Sequence, residues 1–200
     1  RDIDEELLKI MVKHDNICNQ IHLPLQAGSS RILKRMNRTY TKEEFLTLVD
    51  LIRQYIPDCA LTTDIIVGFP GETEEEFQET LEVVSKVRFD TAFMFKYSER
   101  PGTKASNYTD QISEDVKQSR LQTLIEFQHK ISLMNNRRRI GLNLDVIIEK
   151  ESKRSDNQWA GRIEANCWVI FDKKDDYKIG DLVNVNIIDA KGISLFGKIN

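Results

Sequence analysis

Residues 60–76, ALTTDIIVGFPGETEEE, hold the turning point of the chain. Ala60–Val67 is rich in β-branched residues and apolar at both ends, the pattern of a strand buried on both faces, as in a parallel sheet. Gly68-Phe69-Pro70-Gly71 follows at once, and no helix or strand interior tolerates that string well. Thr73 with Glu76 three residues on is a capping box, and Glu74, Glu75 and Glu76 crowd the positive end of the helix dipole. Phe77, Leu81, Val84 and Val87 then recur at helical spacing. The stretch reads as one βα unit.

The same unit is repeated on either side. Upstream, Gln20–Leu25 (QIHLPL) reads as a strand and Ser30–Met36 as a short helix. Thr41–Tyr55 follows, with Thr41 and Glu44 as a capping box and Phe45, Leu48, Val49 and Ile52 on one face. Downstream, Phe89–Tyr97 is a strand, Ser98–Thr103 (SERPGT) a turn-rich loop, and Ser113–Arg139 a long helix. That helix carries Val116, Leu121, Leu124, Ile125, Phe127 and Ile131 as its expected apolar positions. Alternating strands and helices predict an α/β half with a parallel sheet and outer helices. Three units are too few to close a barrel, so this half is expected to be part of one, with unpaired strand edges through which it would dimerise or aggregate. The opening RDIDEELLKI reads as a helix entered partway, which predicts a longer parent polypeptide.

Around Gly141 the period changes from helical to alternating. Leu142, Leu144, Val146 and Ile148 alternate with polar residues, and further strands are expected at Gln158–Ile163, Trp168–Phe171, Leu182–Ile188 and Ser194–Lys198. Val183, Val185 and Ile187 should face one way and Asn184 and Asn186 the other. Five short strands in so few residues predict a small antiparallel barrel of OB-like proportions. The expected organisation is therefore 1–139 and 140–200.

Bulk properties exclude several classes. A net charge of −3 denies the chain a global electrostatic claim on nucleic acid, so any such contact needs a local cluster. No apolar run approaches a membrane span and no signal-peptide pattern opens the chain; no membrane association is expected, and the cytoplasm is the expected compartment. Cys18, Cys59 and Cys167 lie far apart without metal-ligand spacing, and His14, His22 and His129 are isolated. These residues predict no metal site. In the C-terminal half Lys150, Lys153, Arg154 and Arg162 cluster around one hairpin with Trp159 among them. Cations beside an aromatic face are what single-stranded RNA requires, while the bland alternative turns Trp159 into the core.

Several long strings, in order, carry a resemblance. Ile21–Met36 (IHLPLQAGSSRILKRM), Asp64–Glu72 (DIIVGFPGE) and Phe95–Thr103 (FKYSERPGT) resemble the fourth-, fifth- and sixth-strand segments of radical S-adenosylmethionine (SAM) methylthiotransferases. The C-terminal half is similar to the TRAM domain that ends these enzymes. Glu149–Arg162 (EKESKRSDNQWAGR) and residues 166–171 are most like the MiaB-type, tRNA-modifying branch. The expected fold is thus the C-terminal part of a radical SAM barrel followed by a TRAM barrel.

The resemblance implies an enzyme that cleaves SAM at a 4Fe–4S cluster and methylthiolates carbon 2 of isopentenylated adenosine beside the tRNA anticodon. A second 4Fe–4S cluster, in an N-terminal domain, would deliver the sulfur. Neither cluster's cysteine set is present in these residues, so the chain alone is expected not to turn over. Its expected partners are the tRNA anticodon stem-loop and the missing N-terminal domains of the same polypeptide. Threonylcarbamoyl-adenosine as substrate, or a non-catalytic RNA-binding module, are the alternatives.

Functional groups of a βα barrel gather at the C-terminal strand ends. By that rule and the resemblance, Gln26, Ser29, Asp64, Gly68, Glu72 and Arg100 are the expected SAM contacts. The competing roles are purely structural: Ser29 as the next helix's cap, Gly68 as a turn residue, and Glu72 as an acid before a helix. Asp64 is either salt-bridged inside the barrel or part of the site's polar lining. Arg100 would meet tRNA phosphate or the SAM carboxylate. Lys150, Lys153, Arg154, Trp159 and Arg162 are the expected RNA contacts, with Arg137, Arg138 and Arg139 extending the patch or only completing a helix C-terminus.

Overall fold

The computed structural model describes residues 3–153, 155–174 and 176–199. Three parallel strands, β1 (Gln20–His22), β2 (Ala60–Val67) and β3 (Thr91–Lys96), form an open sheet in the order β1-β2-β3. Helices α1 (Glu5–Lys13), α2 (Ser30–Arg35), α3 (Lys42–Tyr55), α4 (Glu74–Val87) and α5 (Glu114–Arg137) complete this half. Both expected capping boxes are made: Thr41 with Glu44, and Thr73 with Glu76. One face of β2, with Leu61, Ile65 and Val67, packs against Phe45, Val49, Ile52, Phe77, Val84 and Leu124 of the helices. The other face is open: Phe93 and Phe95 of β3 are 54% and 53% exposed beside Asp64 and Ile66.

β1 is shorter than the sequence suggests, because the ladder slips by one residue after Leu23. Leu23 N–H donates to the Thr62 carbonyl at 2.8 Å, and the next bond to β2, on the Asp64 carbonyl, comes from Gln26 N–H at 2.8 Å in place of Leu25 N–H. Leu25 N–H turns to the Thr63 hydroxyl at 2.9 Å, and the parallel pairing resumes only as the isolated bridge of Gln26 with Ile65.

The apolar stripe expected on α5 is corrected. Of its six positions only Leu124 and Ile131 are buried, while Val116 is 40% exposed. The face that packs inward is mainly polar: Lys117, Arg120, Gln128, Ser132 and Asn136. These side chains satisfy groups left over at strand and loop ends, where a hydrocarbon stripe would strand them. Gln128 Nε2 donates to the Phe89 carbonyl at 2.7 Å, and the Ser132 hydroxyl to the Asp90 carbonyl at 2.7 Å.

The C-terminal unit is a closed five-stranded barrel of β4 (Asn143–Ser152), β5 (Ser155–Arg162), β6 (Trp168–Asp172), β7 (Leu182–Lys191) and β8 (Ser194–Ile199). The order is β4-β5-β6-β8-β7, with β7 pairing back onto β4. It is antiparallel except for β6 and β8, which run parallel. Val146, Ile148, Val169, Phe171, Val183, Val185, Ile187 and Leu195 fill it, as alternation predicts, but Leu142 is 49% exposed and lies outside.

The barrel docks against the N-terminal ends of the parallel strands. Asn19 N–H, just before β1, donates to Glu164 Oε1 at 2.5 Å. Arg139 Nη2 donates to Asp90 Oδ1, just before β3, at 2.8 Å. The closed barrel therefore sits at the edge of the sheet opposite the one where the strands end.

Candidate functional site

At the C-terminal ends of β1–β3 lies a cavity of about 850 Å3. The strands and loops supply Gln26, Asp64, Ile66, Phe69, Phe95 and Tyr97 as its wall. Gln26 is 6% exposed and sits at φ +65°, a left-handed conformation that only a bracketing structure holds in a residue with a Cβ. The brackets are two backbone bonds of 2.8 Å, Gln26 N–H to the Asp64 carbonyl and Ile66 N–H to the Gln26 carbonyl.

Asp64 is partly exposed and shares the open sheet face with a polar chain. His22 Nε2 lies 3.3 Å from Asp64 Oδ2, His22 Nδ1 lies 3.0 Å from the Thr62 hydroxyl, and Gln20 Nε2 donates to that same hydroxyl at 3.1 Å. With Thr62 donating to Nδ1, the ring carries its proton on Nε2, facing the carboxylate. His22, isolated in the sequence, is thus Asp64's partner across two strands. Asp64 is both hydrogen-bonded within the sheet and part of the cavity lining.

Tyr97 adds an unmet group. Its ring is packed edge-on against Phe69, 5.1 Å between centroids, and its hydroxyl is buried without a hydrogen-bond partner. The hydroxyl is enclosed within the wall and not presented to the cavity. Arg100 is exposed in the 98–103 loop and lines the mouth.

Three of the expected SAM contacts are placed elsewhere. Ser29 is 3% exposed and outside the cavity lining; its hydroxyl caps α2 and donates to Glu76 Oε1 at 2.8 Å. Gly68, at φ +70°, gives its N–H to Glu72 Oε2 at 2.7 Å, and a Cβ there would lie 2.5 Å from Lys117 Cγ. Glu72 is itself buried, with Arg120 Nη1 2.8 Å from Oε2. Burial pushes the Glu72 carboxyl above its ordinary range, against the Gly68 amide and the Arg120 charge. These residues hold the loop that places Phe69. They brace the site from behind.

Glu76 is the second brace. Burial works against its ionisation, yet Arg31, the Thr73 amide and the Ser29 hydroxyl together hold its carboxyl down at about 2. Arg31 clasps both oxygens, Nε to Oε1 at 2.8 Å and Nη2 to Oε2 at 2.6 Å.

On the closed barrel the expected RNA contacts also rearrange. Trp159 is 9% exposed, packed in the core among Val146, Val169 and Phe171, so its ring offers no stacking face. Lys173 Nζ covers it at 4.5 Å. The outward aromatic is Trp168, which the sequence reading passed over; Lys150 Nζ and Arg162 stand 4.1 and 4.3 Å from its ring centroid. Arg162 is also paired with Glu149 at 3.4 Å. Lys153 is exposed at the β4–β5 turn, and Arg154 lies outside the described residues. Of the three arginines at the C-terminal end of α5, Arg139 is spent on Asp90 while Arg137 and Arg138 are exposed.

Among the described residues no group of three His, Cys, Asp or Glu side chains is placed to hold a metal ion. Cys59 and Cys167 are thiols that burial pushes up to about 11, and Cys18 is exposed and remote from both in sequence. No helix among the described residues is long and apolar enough to cross a membrane.

A parallel βα sheet with a lined cavity at its strand ends, joined to a closed five-stranded barrel, defines a radical SAM half with a TRAM domain. The Radical SAM superfamily profile matches residues 1–84 and the TRAM domain profile residues 137–199. The chain thus carries a Radical SAM match and a TRAM match, and over its whole length it is similar to part of tRNA methylthiotransferases. Proteins named tRNA-2-methylthio-N(6)-dimethylallyladenosine synthase match it end to end. That of Christiangramia forsetii is 46% identical over 199 residues, 99% of this chain and 41% of that protein. Those of Parabacteroides distasonis and Thermoanaerobacter sp. strain X514 are each 49% identical, covering 99% and 100% of this chain and 43% and 42% of theirs. The chain thus spans less than half the length of these relatives. Among solved structures, Escherichia coli coproporphyrinogen III oxidase, a radical SAM enzyme, is 18% identical with a TM-score of 0.53, over 87% of this chain and 45% of that one. That likeness concerns the fold alone.

Proposed function

We propose that this chain supplies the strand-end pocket and the RNA grip of a tRNA methylthiotransferase acting at carbon 2 of isopentenylated adenosine next to the anticodon. The observation that carries the reading is the cavity at the C-terminal strand ends on a chain that also bears a TRAM domain. The names of its relatives support the same substrate.

The cavity residues fit SAM by their chemistry. Asp64 and Gln26 offer acceptors for ribose hydroxyls or the amino group, and Phe69 and Tyr97 offer aromatic wall. Arg100 suits the methionyl carboxylate or an RNA phosphate. Bound SAM and two 4Fe–4S clusters would supply hydrogen abstraction and sulfur transfer. The cluster ligands would come from outside this chain, because its three cysteines are separated and burial keeps two of them as protonated thiols. Within the chain, His22 orients Asp64, the Gly68–Glu72 loop fixes Phe69, and Trp168 with Lys150 and Lys153 contacts RNA on the TRAM barrel. The partners in this reading are a tRNA anticodon stem-loop and the remaining domains of the same polypeptide, in the cytoplasm.

Nucleoside analysis of tRNA from cells with the gene disrupted tests the reading. Loss of the 2-methylthio form with accumulation of isopentenyladenosine is the expected result. Loss of the threonylcarbamoyl counterpart would move the substrate assignment, and an unchanged nucleoside profile would leave an RNA-binding module without this chemistry.

A further inference from the structure

The segment that joins the two halves has no slack. Helix α5 ends at Arg137 and β4 starts at Asn143, and every N–H from Arg139 to Leu142 is bonded. Arg139 donates to the Asn136 carbonyl at 3.0 Å, Ile140 to that of Arg137 at 3.2 Å, and Leu142 to that of Arg139 at 3.1 Å. Gly141 donates to the Ile187 carbonyl of β7 at 2.7 Å. Side chains carry the connection further in both directions. Toward the sheet, Arg139 Nη2 donates to Asp90 Oδ1 at 2.8 Å, and Asp90 Oδ2 accepts the Leu61 N–H of β2 at 3.1 Å. Toward the barrel, Arg139 Nη1 donates to Oδ1 of the buried Asn136 at 3.0 Å. Asn136 Nδ2 donates to the Gly192 carbonyl in the β7–β8 turn at 3.3 Å, and its Oδ1 lies 3.4 Å from Cys167 Sγ. Cys167 immediately precedes Trp168. Helix α5 is itself shared, with Leu124 and Ile131 in the core under the sheet and Leu133 packed against the core of the barrel.

Two domains of one chain move relative to each other unless something at their interface prevents it. Here a path of four side chains, Asp90, Arg139, Asn136 and Cys167, runs from the start of β3 to the residue before Trp168. We propose that this path is a bracket that holds Trp168 at a constant distance from the strand ends, so that RNA gripped at the barrel presents one set nucleotide to the reacting site. The inference rests on the tRNA reading above and deepens it: Arg139 and Asn136 are positioning residues that act through Trp168. The eight residues of β2, at ~3.3 Å each, put roughly 25 Å between the two ends of the sheet. A stiff body of that length is a ruler along the bound RNA. A swinging barrel would let neighbouring positions reach the same site. The ion pair at the centre of the bracket is sheltered, with Arg139 and Asp90 side chains 17% and 13% exposed, so salt screens it far less than a surface pair.

The test has two arms. In the 200-residue chain, nitroxides attached through p-acetylphenylalanine in place of Gln54 on α3 and Lys178 on the barrel report the distance between the halves by pulsed electron paramagnetic resonance. One narrow distribution is expected for the unaltered chain. Arg139→Met, which keeps the methylenes and removes both bonds, should at least double its width. Asn136→Leu cuts the path on the barrel side and takes its place where Arg139→Met lowers the thermal melt. The exposed Lys130→Met on the same helix should change nothing. A folded bracket variant with a distribution as narrow as that of the unaltered chain overturns the bracket. In the second arm the complete enzyme meets anticodon stem-loops whose isopentenylated adenosine stands at its natural place or one nucleotide to either side. The unaltered enzyme should prefer the natural place by about tenfold or more in kcat/KM, and the bracket variants by no more than about threefold, the loss falling on kcat with KM little changed. An undiminished preference in the variants overturns the ruler. An unaltered enzyme that modifies none of the stem-loops overturns the tRNA reading and the ruler with it, and the width of the distance distribution then judges the bracket by itself.

Discussion

Arg120 reaches from α5 to Glu72 at the end of the β2 loop, Nη1 to Oε2 at 2.8 Å, with side chains only 8% and 1% exposed. The same guanidinium donates to the Glu72 carbonyl at 3.0 Å, so one side chain clamps the loop that carries Phe69 to the cavity wall. Removing one partner of a buried pair leaves the other charge stranded. Arg120→Ala should therefore cost about 3–5 kcal/mol in urea unfolding. Adding Glu72→Gln should recover part of that loss, since it removes the stranded charge. Recovery of nothing would mean that Arg120 acts through packing alone.

Gly28 lies where α4 crosses the segment after β1. A Cβ on it would stand 2.4 Å from Thr80 Cα and 2.6 Å from the Glu79 carbonyl, against backbone that cannot rotate away. Gly28→Ala should destabilise the sheet half by about 1–3 kcal/mol. A differential melt should show the loss in the transition that reports the α/β half. A neutral substitution would mean that α4 has room to retreat.

Glu76 makes acid stability readable. Its carboxyl ordinarily titrates near 4.5 and is held at about 2 in the folded chain. A lowered folded value means its contribution is complete above about pH 4.5 and is lost as pH falls toward 2. At ~1.4 kcal/mol per pKa unit the contribution is at most about 3.5 kcal/mol. Arg31→Met should move the acid unfolding midpoint upward, measured by circular dichroism from pH 6 to 2, and leave stability at pH 6 less affected than Arg120→Ala does.

The two tryptophans should report different environments. Trp168 is outward between Lys150 and Arg162, whereas Trp159 is in the barrel core. In Trp159→Phe the remaining fluorescence should be quenched by iodide and by added RNA hairpin. In Trp168→Phe it should respond to neither. Equal quenching in both single-tryptophan chains would contradict the assignment of Trp168 as the RNA-facing ring.

Local chemistry was legible and distant pairing was not. The two capping boxes, the Gly68–Gly71 turn and the inward alternation of Val183, Val185 and Ile187 depend on neighbours within a few residues, and the structure contains each. Alternation also held the signal for Trp168, since Val169 and Phe171 point inward and so send the intervening and preceding positions out. The choice of Trp159 followed the nearby basic run instead. The bulge between Ile148 and Lys150 shifts the β4 phase, which no periodicity argument anticipates. His22 and Asp64 are 42 residues apart and meet only through the parallel register of β1 and β2. The polar face of α5 stayed hidden because the backbone groups it satisfies belong to other elements.

The most direct test of the site itself is to return the complete gene, carrying Asp64→Asn or Gln26→Ala, to cells in which it has been disrupted, and to quantify 2-methylthio-isopentenyladenosine in tRNA at matched protein levels. The account predicts at least a tenfold loss of that nucleoside with each variant, with isopentenyladenosine accumulating, while Lys13→Ala restores it fully. Full restoration by both cavity variants would contradict the assignment of the strand-end cavity as the working site.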